Sequence, residues 1–187
     1  VSDLLRFAEV ACWRGGRLLF SDLSFELGAG DGLWLRGPNG VGKSSALRLA
    51  AGLLKPLSGT IEAAPAALAD EALALDRELP LRRALRFWTE DAAALDGALK
   101  ALDLSRLADV PVRLLSTGQA RRARLARVAA SGAQLWLLDE PLSGLDADSI
   151  GLVAALIERH RAEGGAVLAT SHQPMPGAGW RALDLAA

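Results

Sequence analysis

The stretch Leu33-Trp34-Leu35-Arg36-Gly37-Pro38-Asn39-Gly40-Val41-Gly42-Lys43-Ser44 runs from a short apolar strand into a glycine-rich loop and on into a helix. From Gly37 to Ser44 it fits the spacing G-x-x-x-x-G-K-S/T. A triphosphate must be wrapped by backbone N–H groups. Glycines allow the close approach and the positive φ that wrapping requires. The helix predicted from Lys43 points its N-terminus at the phosphates. Lys43 has the reach for the β- and γ-phosphates, and the Ser44 hydroxyl is a ligand for Mg²⁺. Strand before and helix after are the two conditions that separate this motif from a chance glycine-rich turn. The expected nucleotide-binding residues are therefore Gly37, Pro38, Asn39, Gly40, Val41, Gly42, Lys43, Ser44 and Ser45.

Working outward, Leu4–Val10 and Arg17–Leu27 read as strands joined by a Gly15-Gly16 turn, and Gly59–Glu62 as an edge strand. Residues 63–109 are rich in Ala, Leu, Arg and Asp, lack valine, and are expected to be wholly helical, with breaks near Pro80 and Pro111. A helix is expected from Thr117 to about Ala130, a buried strand at Leu135–Leu138, a helix over 146–163 and a strand at Ala166–Ala169. The order gives an α/β core with N-terminal strands and an inserted helical stretch.

The apolar run Leu135-Trp136-Leu137-Leu138 ends in Asp139-Glu140. An acid at a strand tip beside a phosphate loop is placed to hold Mg²⁺, and the next acid to act as general base toward water. Without the loop, the same pair would be an ordinary solvated strand end. Leu115-Ser116-Thr117-Gly118-Gln119 opens a helix that carries Arg121, Arg122, Arg124 and Arg127. A free hydroxyl at a helix N-terminus receives phosphate, yet it is also a plain helix cap. The arginines read as a solvated charged face. His172, just past a core strand, stands where α/β sheets bind ligands.

Composition narrows the classes. A chain of 187 residues, 51 % hydrophobic, favours one domain with a sizeable core. The net charge of -1 excludes a generally basic nucleic-acid binder. A lone cysteine, Cys12, excludes a disulfide framework, and two histidines argue against a histidine-rich metal enzyme. No apolar run reaches the length of a membrane span, and Val1–Glu9 has no signal-peptide core. The mean hydropathy of +0.22 suggests a face covered by a partner.

Together these segments resemble the ATP-binding-cassette (ABC) ATPases over nearly the whole chain. Gly37–Ser44 looks like the Walker A loop, and Leu115–Gln119 like the LSGGQ signature with Thr117 replacing its first glycine. Leu135–Glu140 looks like Walker B with its catalytic glutamate, Ser143–Asp146 like the D-loop, and His172 like the switch histidine. Finer details resemble the haem-exporter ATP-binding subunits of cytochrome c maturation. They are Cys12 with Arg14, Leu19-Phe20…Leu23-Ser24-Phe25, Leu85-Arg86-Phe87-Trp88 and His172-Gln173-Pro174. From the residues themselves, Phe87 and Trp88 read as packing in the helical stretch.

The resemblance implies a P-loop NTPase (RecA-like) core with an inserted helical subdomain in the ABC-ATPase architecture. It forms one nucleotide-binding domain over 1–187, the core at about 1–64 and 133–187 and the helical part at about 65–132. It implies ATP and Mg²⁺ as cofactors, Ser44 and Asp139 as metal ligands, and Lys43, Glu140 and His172 as catalytic residues. It further implies a head-to-tail homodimer in which Ser116, Thr117, Gly118 and Gln119 meet ATP in trans near the D-loop Asp146. Partners are integral membrane subunits of the cytochrome c maturation system. The expected place is peripheral, on the cytoplasmic side of the bacterial inner membrane. No nucleic acid and no direct haem site are expected.

Two departures stand out. The family's Q-loop glutamine, which touches Mg²⁺, is missing, since no glutamine lies between Ser45 and Gly118. By position its place falls near Glu71 and Ala72, with Asp70 adjacent. The chain also lacks tyrosine, so the adenine-stacking aromatic would be Trp13, although Arg14 lies nearer the family register. The alternatives are another small exporter, a degenerate nucleotide-binding module with weak hydrolysis, or a cassette acting on nucleic acid. Against the last, this sequence shows neither the long coiled coil nor the tandem cassettes that such proteins carry.

Overall fold

The computed structural model describes residues 3–185, so Val1, Ser2, Ala186 and Ala187 of the expected domain lie outside it. Two sheets form. The first is antiparallel, in the order β2 (Arg17–Leu27), β1 (Leu5–Arg14), β4 (Ser58–Ala63). The second is parallel, in the order β5 (Ala66–Ala69), β6 (Leu135–Asp139), β7 (Ala166–Thr170), β3 (Gly32–Arg36), β8 (Trp180–Asp184).

Among the described residues five α-helices accompany the strands: α1 (Lys43–Ala50), α2 (Leu81–Leu85), α3 (Ala92–Ala101), α4 (Thr117–Ala130) and α5 (Ala147–Ala162). Helix α1 packs against β1 and β4 of one sheet and β6 and β7 of the other. Its Leu47 and Leu49 are buried with Leu5, Phe7, Leu33 and Leu35 in the core that joins the sheets. A second core, on the other face of the parallel sheet, takes Leu81, Leu85, Leu95 and Leu99 from α2 and α3, and Leu125 and Leu156 from α4 and α5. Strands β6 and β7 are buried along their whole length, which explains their unbroken apolar runs.

Local chemistry sets the helix starts. Asp91 caps α3 by accepting from Ala93 N and Ala94 N. Ser116 and Gln119 form a reciprocal capping box at α4, with Ser116 N to Gln119 Oε1 at 2.9 Å and Gln119 N to Ser116 Oγ at 3.3 Å.

The expected strands and helices outside 63–109 are present. The stretch 63–109 is not wholly helical: it opens with β5, which pairs with β6 in the parallel sheet. Ala66-Ala67-Leu68-Ala69 has the residues of a helix, but Ala67 and Ala69 are buried by the sheet and the second core, and tertiary context overrides propensity. Strand β8 is not among the expected strands; its one strong signal is Trp180. Phe87 and Trp88 do not pack as a core. They are 83 % and 39 % exposed, because α2 ends at Leu85 and turns them outward.

Candidate nucleotide site

Four neighbouring strands, β5, β6, β7 and β3, end on the same edge of the parallel sheet. That edge is where open α/β sheets bind ligands. Asp139 pairs with Thr170, Leu35 with Thr170, and Ala69 with Leu138. The register therefore sets the segments that follow these strands side by side.

The loop after β3 turns through left-handed glycines at Gly40 (φ +78°) and Gly42 (φ +117°). A Cβ on Gly42 would lie 2.9 Å from the Phe20 ring, so the loop can lie this close to β2 only with glycine there. Arg17 Nη2 donates to Gly40 O at 2.7 Å and fixes the outer side of the loop. Lys43 is buried, and its Nζ donates to Gly37 O at 2.7 Å and Pro38 O at 3.2 Å. The ammonium thus occupies the loop's own carbonyls.

A cavity of about 370 Å³ brings together Asn39, Gly40, Gly42, Lys43, Ser44 and Ser45 with Asp139, Glu140 and His172. It also takes in Leu19, Glu71 and Ser143. Asp139 is 7 % exposed, and its Oδ1 accepts from Thr170 Oγ1 at 2.6 Å. Glu140 has φ +48°, its N–H donates to Thr170 Oγ1 at 3.0 Å, and its buried Oε1 lies 3.5 Å from His172 Nε2. Ser44 and Asp139 thus offer a hydroxyl and a carboxylate oxygen to one space. Hard oxygen donors of this kind suit Mg²⁺.

Other expected residues stand elsewhere. Pro38 and Val41 line the outer side of the loop with Arg17. Ser116, Gly118 and Gln119 do not line the Lys43 cavity. Thr117 lines an adjoining cavity of about 400 Å³ that shares Glu71, Asp139, Glu140 and Ser143 with the first. Asp146 caps α5, accepting from Ser149 N at 2.8 Å, and this bonding holds its carboxyl below the usual range. Trp13 is 57 % exposed and does not line the Lys43 cavity. Its neighbour Arg14 reaches the helix after the loop instead, with Nη1 to Ser45 Oγ at 3.4 Å.

Two of the four arginines of α4 are not on a solvated face, and the other two, Arg121 and Arg122, are half-buried. Arg124 and Arg127 are each 8 % exposed. Arg124 Nη1 donates to Asp70 O and Arg127 Nη2 to Leu68 O, both at 2.5 Å, and Arg127 lies over the Trp88 ring. Burial is the main cause of the lowered pKa of both guanidinium groups. The apolar β5 backbone, expected as helix and found as strand, supplies Leu68 O. Thr170 is not among the expected site residues; a hydroxyl at the buried end of a core strand is the signal that marks it.

Residues 20–143 match the family model described as ABC transporter. The chain is 57 % identical over 174 residues to the cytochrome c biogenesis ATP-binding export protein CcmA of Sphingopyxis alaskensis, covering 90 % of each chain. It is 55 % identical over 185 residues to the protein of the same name from Zymomonas mobilis, covering 95 % of this chain and 82 % of that one. Among solved structures, the ATP-binding subunit of an ABC transporter superposes with a TM-score of 0.81 at 24 % identity, over 90 % of this chain and 80 % of that one. At that identity the likeness speaks for the fold alone.

Proposed function

The chain belongs to the ABC transporter family of ATP-binding subunits, and from that premise we propose that it hydrolyses ATP for the export system of cytochrome c biogenesis. The observation that carries this reading is the convergence of Lys43, Ser44, Asp139, Glu140 and His172 on one cavity. The process itself is taken from the names of the relatives at 57 % and 55 % identity. The power is spent on haem export or on release of a haem-loaded chaperone.

In this reading Lys43 leaves Gly37 O and Pro38 O and turns its ammonium to the β- and γ-phosphates. The loop N–H groups and the start of α1 hold the remaining phosphate charge. Ser44 and Asp139 would hold Mg²⁺, which would supply neutralisation of the phosphate charge. Glu140 takes a proton from the attacking water as its oxygen bonds the γ-phosphorus. The bond to the ADP oxygen breaks, and inorganic phosphate forms. His172, 3.5 Å from Glu140 Oε1, orients that water and the γ-phosphate oxygen.

The signature residues Ser116, Thr117, Gly118 and Gln119 serve the nucleotide of a second copy, with Asp146 at the same boundary, in a head-to-tail homodimer. Their position outside the Lys43 cavity supports this. The division into a RecA-like core and a helical subdomain within one nucleotide-binding domain belongs to the same proposal. So does peripheral attachment at the cytoplasmic face of the inner membrane, through integral subunits that meet exposed Phe87 and Trp88. No helix among the described residues is long and apolar enough to cross a membrane.

The test is turnover by purified protein. Mg²⁺-dependent ATP hydrolysis that falls at least about 100-fold in Lys43→Ala, together with an ATP-dependent dimer in Glu140→Gln, agrees with the proposal. Unchanged turnover in Lys43→Ala removes the cavity from the reaction, and a Glu140→Gln variant that stays monomeric with MgATP removes the sandwich.

A further inference from the structure

Thr170 is the last residue of β7 and is wholly buried. Its hydroxyl has one proton to give and lone pairs to receive. It donates to Asp139 Oδ1 at 2.6 Å and accepts from Glu140 N–H at 3.0 Å. The direction is fixed, because the amide can only donate and the hydroxyl proton is then free for the carboxylate. One side chain on β7 thus holds the carboxylate that ends β6 and the peptide that follows it.

We propose that Thr170 is the positioning residue for both acids of the nucleotide site, a role that rests on the ATPase reading above. Two consequences follow from the bonds. Oδ1 of Asp139 accepts from Thr170 and Asp139 lines the cavity with Ser44, so this bond sets how the carboxylate is presented to that space. The Glu140 backbone sits at φ +48°, a left-handed conformation that costs a non-glycine residue free energy. The N–H bond to Thr170 holds the chain in that turn and delivers the Glu140 carboxylate to within 3.5 Å of His172. Thr170 reaches neither the water nor the phosphate in this scheme, and acts only through its two neighbours.

Thr170→Val keeps the shape and places a methyl group against Asp139 Oδ1 and the Glu140 N–H. Thr170→Ser keeps the hydroxyl and deletes the methyl. Three readings separate positioning from packing: Mn²⁺ affinity in the presence of ATP, followed by electron paramagnetic resonance; ATP affinity without metal; and kcat against KM. Thr170→Val is expected to weaken Mn²⁺ about ten-fold and to lower kcat about 10- to 100-fold, as for other misplaced catalytic groups. Metal-free ATP affinity and KM should stay within about two-fold. Thr170→Ser is expected to restore Mn²⁺ affinity and most of kcat.

Wild-type Mn²⁺ affinity and kcat in Thr170→Val overturn the proposal while Lys43→Ala still reports on the ATPase reading. A Thr170→Ser variant as impaired as Thr170→Val also overturns it, because packing would then be the cause. If Thr170→Val does not fold, the serine variant decides alone: near-normal Mn²⁺ affinity and kcat support positioning, and loss of both contradicts it. A wild-type protein that binds no Mn²⁺ with ATP defeats both the proposal and the reading beneath it.

Discussion

Arg124 Nη1 donates to the backbone carbonyl of Asp70 at 2.5 Å, tying the middle of α4 to the segment that leaves β5. Asp70 is followed by Glu71, which faces both the Lys43 cavity and its neighbour. The helix that begins at Thr117 is therefore strapped, through one buried guanidinium, to the residue before an acid that lines the Lys43 cavity. Arg127, three residues further on, repeats the attachment at Leu68 O.

Arg124→Ala should cost about 1.5–3 kcal/mol of stability, the range for losing a hydrogen bond to a charged group. The Asp70–Glu71 segment should loosen with it. Urea unfolding checks the first effect, and hydrogen exchange at the amides of residues 70–73 the second. A variant with wild-type stability and unchanged exchange would mean that the strap carries no load.

The base of the nucleotide offers a second test. Arg14 and Trp13 are both exposed and neither lines the cavity, but Arg14 bonds a residue that does, at Ser45 Oγ. A guanidinium stacks on any base with little selectivity. Trp13→Ala is expected to leave ATP affinity within about two-fold and Arg14→Ala to weaken it several-fold, with GTP competing within about ten-fold of ATP. Displacement of a fluorescent nucleotide measures all three. Strong loss in Trp13→Ala with none in Arg14→Ala would assign the stacking role to the tryptophan.

His160 predicts a pH dependence of stability. Its ring stacks on Trp136 at 3.7 Å and 9°, and Nε2 lies 3.1 Å from Gln134 O. Burial lowers its pKa, partly offset by the hydrogen bonds to Gln134 and Ala166. Its folded pKa thus lies below the ordinary imidazole value of about 6.5. As pH falls, the unfolded chain takes up the proton first. The stabilisation is complete above that value and is lost as pH falls through it toward the folded pKa. Melting temperatures of wild type and His160→Phe should diverge below about pH 6.5, with the wild type losing more. Parallel profiles would show that the imidazole is not linked to folding.

Much of this was legible in the sequence because backbone geometry dictates it. The glycines before Lys43, the apolar run into Asp139-Glu140 and the Ser116/Gln119 cap each require particular residue types at fixed spacing. The parts that escaped depend on tertiary neighbours. Ala66–Ala69 has helical composition and becomes a strand because β6 offers an edge to pair with. Arg124 and Arg127 look like surface charge until that strand and the residue after it supply carbonyls. Phe87 and Trp88 look like core until α2 stops at Leu85. Glu71, near where the resemblance expects a glutamine, lines the Lys43 cavity. Thr170 gains its role only when β6 and β7 are set in register.

The most direct test of the central claim is deletion of the gene, followed by haem-stained gels of c-type cytochromes. Complementation would use wild type and Glu140→Gln. The account predicts loss of c-type cytochromes with b-type haem proteins retained, and rescue by wild type alone. Normal c-type cytochromes in a strain with no second copy would contradict the assignment to cytochrome c biogenesis, and rescue by Glu140→Gln would contradict the need for hydrolysis.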